Sequence, residues 1–154
     1  MTYVPILFAV VVAGLAPSAK AEPLSLVLHG FSAHFNHPDN NRQWNETHPG
    51  VGLRYEHSSE LATQLSFVSK NSFDRPSFYV LGEYTPLRAG WLRLGAFAGL
   101  ATGYAHAVQP VGGALLRLDF ADFGLALRYV PRVGSGCCSK YSTAVASVEM
   151  SLPF

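Results

Sequence analysis

The stretch "STAVASVEMSLPF", residues 142–154, ends the chain. Apolar and polar residues alternate along it, and the last residue is Phe154. A period of two belongs to a β-strand whose two faces meet different surroundings, because successive side chains point to opposite sides. The rest of the chain decides which surroundings those are.

Charged residues make up 14% of the 154, against roughly 25% in soluble domains. The mean hydropathy is +0.17. Residues 4–15, "VPILFAVVVAGL", form an apolar run too short to span a bilayer as a helix. "APSAKA" follows, with Ala19 and Ala21 at the small-residue positions of a cleavage site. This reads as a secretory signal peptide over 1–21, cut after Ala21, leaving one domain over 22–154. No Lys or Arg precedes the apolar core, so the terminal amine alone supplies positive charge there. No later segment offers eighteen uninterrupted apolar residues. An apolar secreted chain of this kind is either a soluble β protein or a membrane β-barrel, which satisfies its backbone by closing on itself. A final amphipathic strand ending in Phe resembles the terminal strand by which Gram-negative outer-membrane barrels are recognised for insertion. The net charge of +1 gives no case for nucleic acid.

Eight strand-like segments divide the domain: 24–35, 50–58, 61–70, 77–87, 91–103, 110–120, 123–131 and 143–154. Most have the length that crosses a bilayer at a tilt, about nine to eleven residues. "GVGLRYE", "SFYVLGEY" and "FGLALRY" hold β-formers and Gly and no helical period. The short connections "SSE", "RAG" and "AD" alternate with longer ones at 36–49, 71–76, 104–109 and 132–142. The expectation is an all-β protein: a monomeric, eight-stranded, antiparallel up-and-down transmembrane barrel with short periplasmic turns and long outer loops. In "LSLVLHGFSAHF" and "GAFAGLATGYA" both faces are apolar or small. That leaves two readings open: a lumen that holds a hydrocarbon chain, or one filled by small side chains. Gln64, Glu83, Arg93, Arg117 and Asp119 make part of the lumen polar.

"HF", "WNETHPGVGLRYE", "FVSKNSFDRPSFYVLGEYTPL", "LRLGAFAGLATGY", "RYVP" and the terminal "F" follow one another in order. In that order and spacing they resemble the lipid A palmitoyltransferase (PagP) family over the whole of residues 22–154. The resemblance implies an outer-membrane enzyme that moves a palmitoyl-type chain from a phospholipid donor to lipid A. It implies no cofactor and no metal, and an acyl chain buried in the lumen. Lipids would pass laterally where Pro interrupts strand pairing, at Pro110 and Pro131. Punctuation at strand ends is the ordinary reading of both.

Acyl transfer from an ester needs a base and donors that hold the oxyanion. The resemblance supplies a His, an Asp and a Ser. Ser72 matches the Ser; its other reading is a loop-tip residue capping its own turn. Asn71 stands where the family pattern has Asp. An amide carries no negative charge, but it can orient a His or donate to an oxyanion. His34 is the favoured base and His29 the alternative. They are five positions apart, so a regular strand turns only one of them to the lumen. A bulge near Gly30 would undo that parity. Asn45 and Glu46 match an Asn-Glu of the family, with Glu46 read as structural rather than as a second acid. Arg42, Lys70 and Arg75 are candidate contacts for lipid phosphates, or solvated loop charges. Cys137 and Cys138 are adjacent in an oxidising compartment, and no His spacing suggests a metal site. Two other functions stay open: a non-catalytic outer-membrane barrel, structural or adhesive, and a lipid A deacylase.

Overall fold

A computed structural model describes residues 23–35, 44–104, 106–131 and 144–154. The signal-peptide segment, Arg42, Cys137 and Cys138 lie outside them. Eight strands follow one another: β1 (Leu24–Phe35), β2 (Thr47–Glu56), β3 (Leu61–Val68), β4 (Ser77–Ala89), β5 (Leu92–Thr102), β6 (Val108–Asp119), β7 (Gly124–Val130) and β8 (Ala144–Pro153). Each pairs antiparallel with the next, and β8 pairs with β1 to close a barrel.

The closure explains the alternation read from the sequence. Along β3, Ala62, Gln64, Ser66 and Val68 are buried, while Leu61, Leu65 and Phe67 between them lie exposed on the outside. Several strand limits depart from expectation, and two of the departures have a visible cause. β2 starts at Thr47 because that residue already pairs with Phe31 of β1. β4 runs to Ala89 through Pro86, and its ladder with β5 passes from Tyr84↔Ala96 to Leu87↔Leu94. That irregularity accommodates the N–H that Pro86 lacks.

β1 is not a regular strand: it carries a bulge near Gly30, the one feature that undoes the parity argument. Its ladder with β8 passes from His29↔Glu149 to Ser32↔Ser147, so three steps of β1 oppose two of β8. The extra residue at Gly30–Phe31 resets the parity. Val27 faces inward before it, and Ser32 and His34 are buried after it. The His29 side chain is only 9% exposed. Both histidines therefore face the interior.

The half of the barrel toward the short turns is filled by ion pairs. Glu83 accepts from Arg54 Nε at 2.7 Å and from Arg128. Arg128 also donates to Gln64 Oε1 at 2.9 Å, and Gln64 Nε2 donates to Glu149 at 3.1 Å. Arg93 and Arg117 share Asp119, and Glu56 bridges Arg54 and Arg93. Buried charges persist only when paired and hydrogen-bonded. The expected lumen residues Gln64, Glu83, Arg93, Arg117 and Asp119 all belong to this network. Arg54, Glu56, Arg128 and Glu149 join them in it.

Candidate active site

The other half of the barrel holds a cavity of about 440 Å³. His34, Ser72 and Trp44 line it at the loop end, Val68, Leu81 and Phe97 along its wall, and His29, Arg128 and Glu149 at its base. The walls are apolar and the base is the upper edge of the ion network. Its volume is that of an ordinary small-molecule pocket, roughly 300–1,000 Å³.

At the loop end, His34 Nε2 and Ser72 Oγ are 2.8 Å apart, and both residues are buried. The tip that presents Ser72 is organised by Asn71. Its side-chain oxygen accepts from the backbone N–H of Phe73 at 2.7 Å and of Arg75 at 3.1 Å, a local turn of the kind Asn favours. Its amide nitrogen donates to Ser77 Oγ at 2.7 Å and to the Gly103 carbonyl at 2.9 Å. Asn71 is wholly buried, and both ends of its amide are committed to the tip. Gly103 sits at φ +79, where a Cβ would meet the Pro76 carbonyl oxygen at 2.1 Å. Only glycine at 103 brings its own carbonyl to Asn71 without strain.

Residues 44–46 dock between β1 and the tip. Asn45 Nδ2 donates to the Asn71 carbonyl at 3.1 Å, and the Ser32 N–H donates to the Glu46 carbonyl at 2.8 Å. Trp44 stacks on His34, with ring centroids 5.2 Å apart and planes 12° apart, and Phe73 meets Trp44 edge-on. Glu46 Oε1 lies 3.9 Å from His34 Nδ1. Beside them, His48 Nδ1 is 3.1 Å from the Lys70 carbonyl, and its Nε2 is 2.6 Å from Ser32 Oγ. A carbonyl only accepts, so Nδ1 carries the proton and Nε2 accepts from the Ser32 hydroxyl. Trp44 and His48 escaped the sequence reading because neither has a signature spacing.

His29 lies elsewhere, its Nδ1 3.3 Å from Glu149 Oε1 at the cavity base and its ring stacked on Tyr79. Tyr79 in turn is hydrogen-bonded to Tyr104. Burial, then the neighbouring Tyr79, pushes the Tyr104 phenol well above its usual range, so it remains a hydroxyl. Lys70 and Arg75 are exposed on the tip next to Ser72. Pro110 lies within β6 and Pro131 directly follows β7. Among the described residues the β6–β7 ladder begins at Ala114↔Tyr129, so Val108–Gly113 pairs there with β5 alone. Both prolines line the cavity, which reaches the barrel wall there.

Fold and site together define a closed eight-stranded barrel with a buried His–Ser pair above an internal cavity. Compared with protein families and with curated proteins, the chain matches no family model and no curated sequence.

Proposed function

We propose that this barrel is an outer-membrane lipid A acyltransferase of the palmitoyltransferase type. The observation that carries the reading is the His34–Ser72 pair, 2.8 Å apart at the mouth of an apolar-walled cavity. The cavity takes the acyl chain of a phospholipid donor, and the donor ester then lies at the pair. His34 is the base and Ser72 the group that meets the ester carbonyl. Asn71 acts through the tip, positioning Ser72. Lys70 and Arg75 stand where lipid phosphates would pair with them. Pro110 and Pro131, both on the cavity wall, mark where lipids would pass laterally to the cavity.

Membrane insertion is supported by the outer surface. Leu53, Leu65, Val80, Leu94 and Leu100 are among the large apolar side chains left exposed, a band that water would not tolerate at this extent. Trp91, Phe120 and Phe123 cluster at the short turns, as an interfacial aromatic girdle would. In this setting the segment 1–21 is a secretory leader and the short turns are periplasmic.

The test is expression in a Gram-negative strain lacking such an activity, followed by mass spectrometry of its lipid A. An added acyl mass from wild type, lost in both His34→Ala and Ser72→Ala, supports the reading. Properly inserted wild type that adds no mass sinks it.

A further inference from the structure

The His34–Ser72 pair has a neighbour on the opposite ring nitrogen. Glu46 Oε1 lies 3.9 Å from His34 Nδ1, while Nε2 meets Ser72 Oγ at 2.8 Å. The three groups come from β1, from residues 44–46 and from the β3–β4 tip; Asn45 Nδ2 donates to the Asn71 carbonyl and ties residues 44–46 to the tip, and the Ser32 N–H donates to the Glu46 carbonyl and ties them to β1. A carboxylate beside Nδ1 favours the tautomer with the proton on that nitrogen. Nε2 is then the acceptor of the Ser72 O–H. Trp44, stacked on the imidazole, fixes the ring plane. Asn71 cannot take this part, because both ends of its amide are committed. A base whose Nε2 already holds the serine hydroxyl is poised to deprotonate that hydroxyl before any other.

We infer that Glu46, His34 and Ser72 form a triad in which Ser72 is the nucleophile, so that acyl transfer passes through an acyl-serine. The inference rests on the acyltransferase reading above and adds its covalent route. Ser72 Oγ attacks the donor ester carbon as its proton moves to His34 Nε2. The carbon–oxygen bond to the glycerol breaks, and the departing alkoxide takes that proton, releasing lysolipid. The acceptor hydroxyl next gives its proton to His34 and attacks the acyl-serine. Ser72 Oγ leaves and recovers the proton. Glu46 touches no reacting atom and is a positioning residue. Its side chain is 60% exposed, so solvent screens it and its removal costs far less than loss of the base.

The full chain, refolded in detergent, tests this with an alkyl fluorophosphonate. Ser72 Oγ bonds to phosphorus, fluoride leaves and the proton passes to His34. Peptide mass mapping is expected to find one adduct, on Ser72. Ser72→Ala abolishes it, and His34→Ala slows it about 100-fold or more. Glu46→Gln slows the bonding rate constant about tenfold with probe affinity unchanged, and Glu46→Asp recovers part of the loss. Acid quenching of wild type with a phospholipid donor reads acyl-Ser72 directly, with no variant needed. Protein that transfers acyl chains but yields neither adduct nor acyl-Ser72 overturns the triad and leaves the acyltransferase reading standing. Labelled Ser72 in protein that transfers nothing to lipid A keeps the triad and overturns that reading. A Glu46→Gln rate equal to wild type removes Glu46 from the set.

Discussion

His29 and His34, both on β1, face the same interior although they lie five positions apart. The bulge at Gly30–Phe31 is the cause. They differ in height: His34 meets Ser72 at the mouth, whereas His29 meets Glu149 at the base.

That separation predicts unequal roles. His34→Ala is expected to lower transfer by about 100-fold or more, the usual worth of a general base. His29→Gln should leave transfer within about fivefold, far below what loss of a base costs, since Glu149 keeps Arg128 and Gln64 as partners. Acyl-transfer rates on purified protein in mixed micelles measure both. Equal losses would move the base to the cavity floor.

Asn71→Asp tests whether the acid of the family pattern suits this tip. A carboxylate would lose the two donations to Ser77 and Gly103 and place an oxygen against the Gly103 carbonyl. The expected cost is about 1–3 kcal/mol of stability, with slower transfer as Ser72 loosens. Urea unfolding in detergent and the transfer assay read the two effects. Faster transfer by Asn71→Asp would return a direct chemical role to this position.

Glu83→Ala should be among the most damaging changes. It leaves Arg54 and Arg128 facing each other's charge with their central acceptor gone. Breaking a buried pair from one side costs about 3–5 kcal/mol. The urea midpoint should fall accordingly, and an unchanged midpoint would mean that water reaches this half of the lumen.

Ala101→Phe narrows the cavity without touching the His–Ser pair. Ala101 is 1% exposed and lines the wall. The chains transferred should shorten, as read from the lipid A mass increment. A wild-type increment would place the acyl chain elsewhere.

Much of this was legible in the sequence. Alternation and segment length gave the strands, because a two-sided wall imposes a period of two on every residue. Ser72 and His34 came from the resemblance, and the structure brings their side chains together. What escaped depends on contacts rather than period. A bulge near Gly30 could be named as a possibility but not read from spacing, and it is what lets His34 face inward along with Val27 and His29. Pro86 within β4 gave no warning of the irregularity that absorbs it. Trp44 and Glu46 reach His34 only because Asn45 ties their segment to the tip 26 residues away. Arg128 and Glu149 find each other across two strands, and no spacing along the chain encodes that.

The ion-paired half of the lumen makes the cavity a blind alley. Whatever enters it must back out past the point of arrival, and no product can escape through the far end. If the cavity serves the proposed acyl transfer, two lipids share one doorway. Spent donor then has to clear before an acceptor takes its place, and an excess of either lipid is expected to slow turnover.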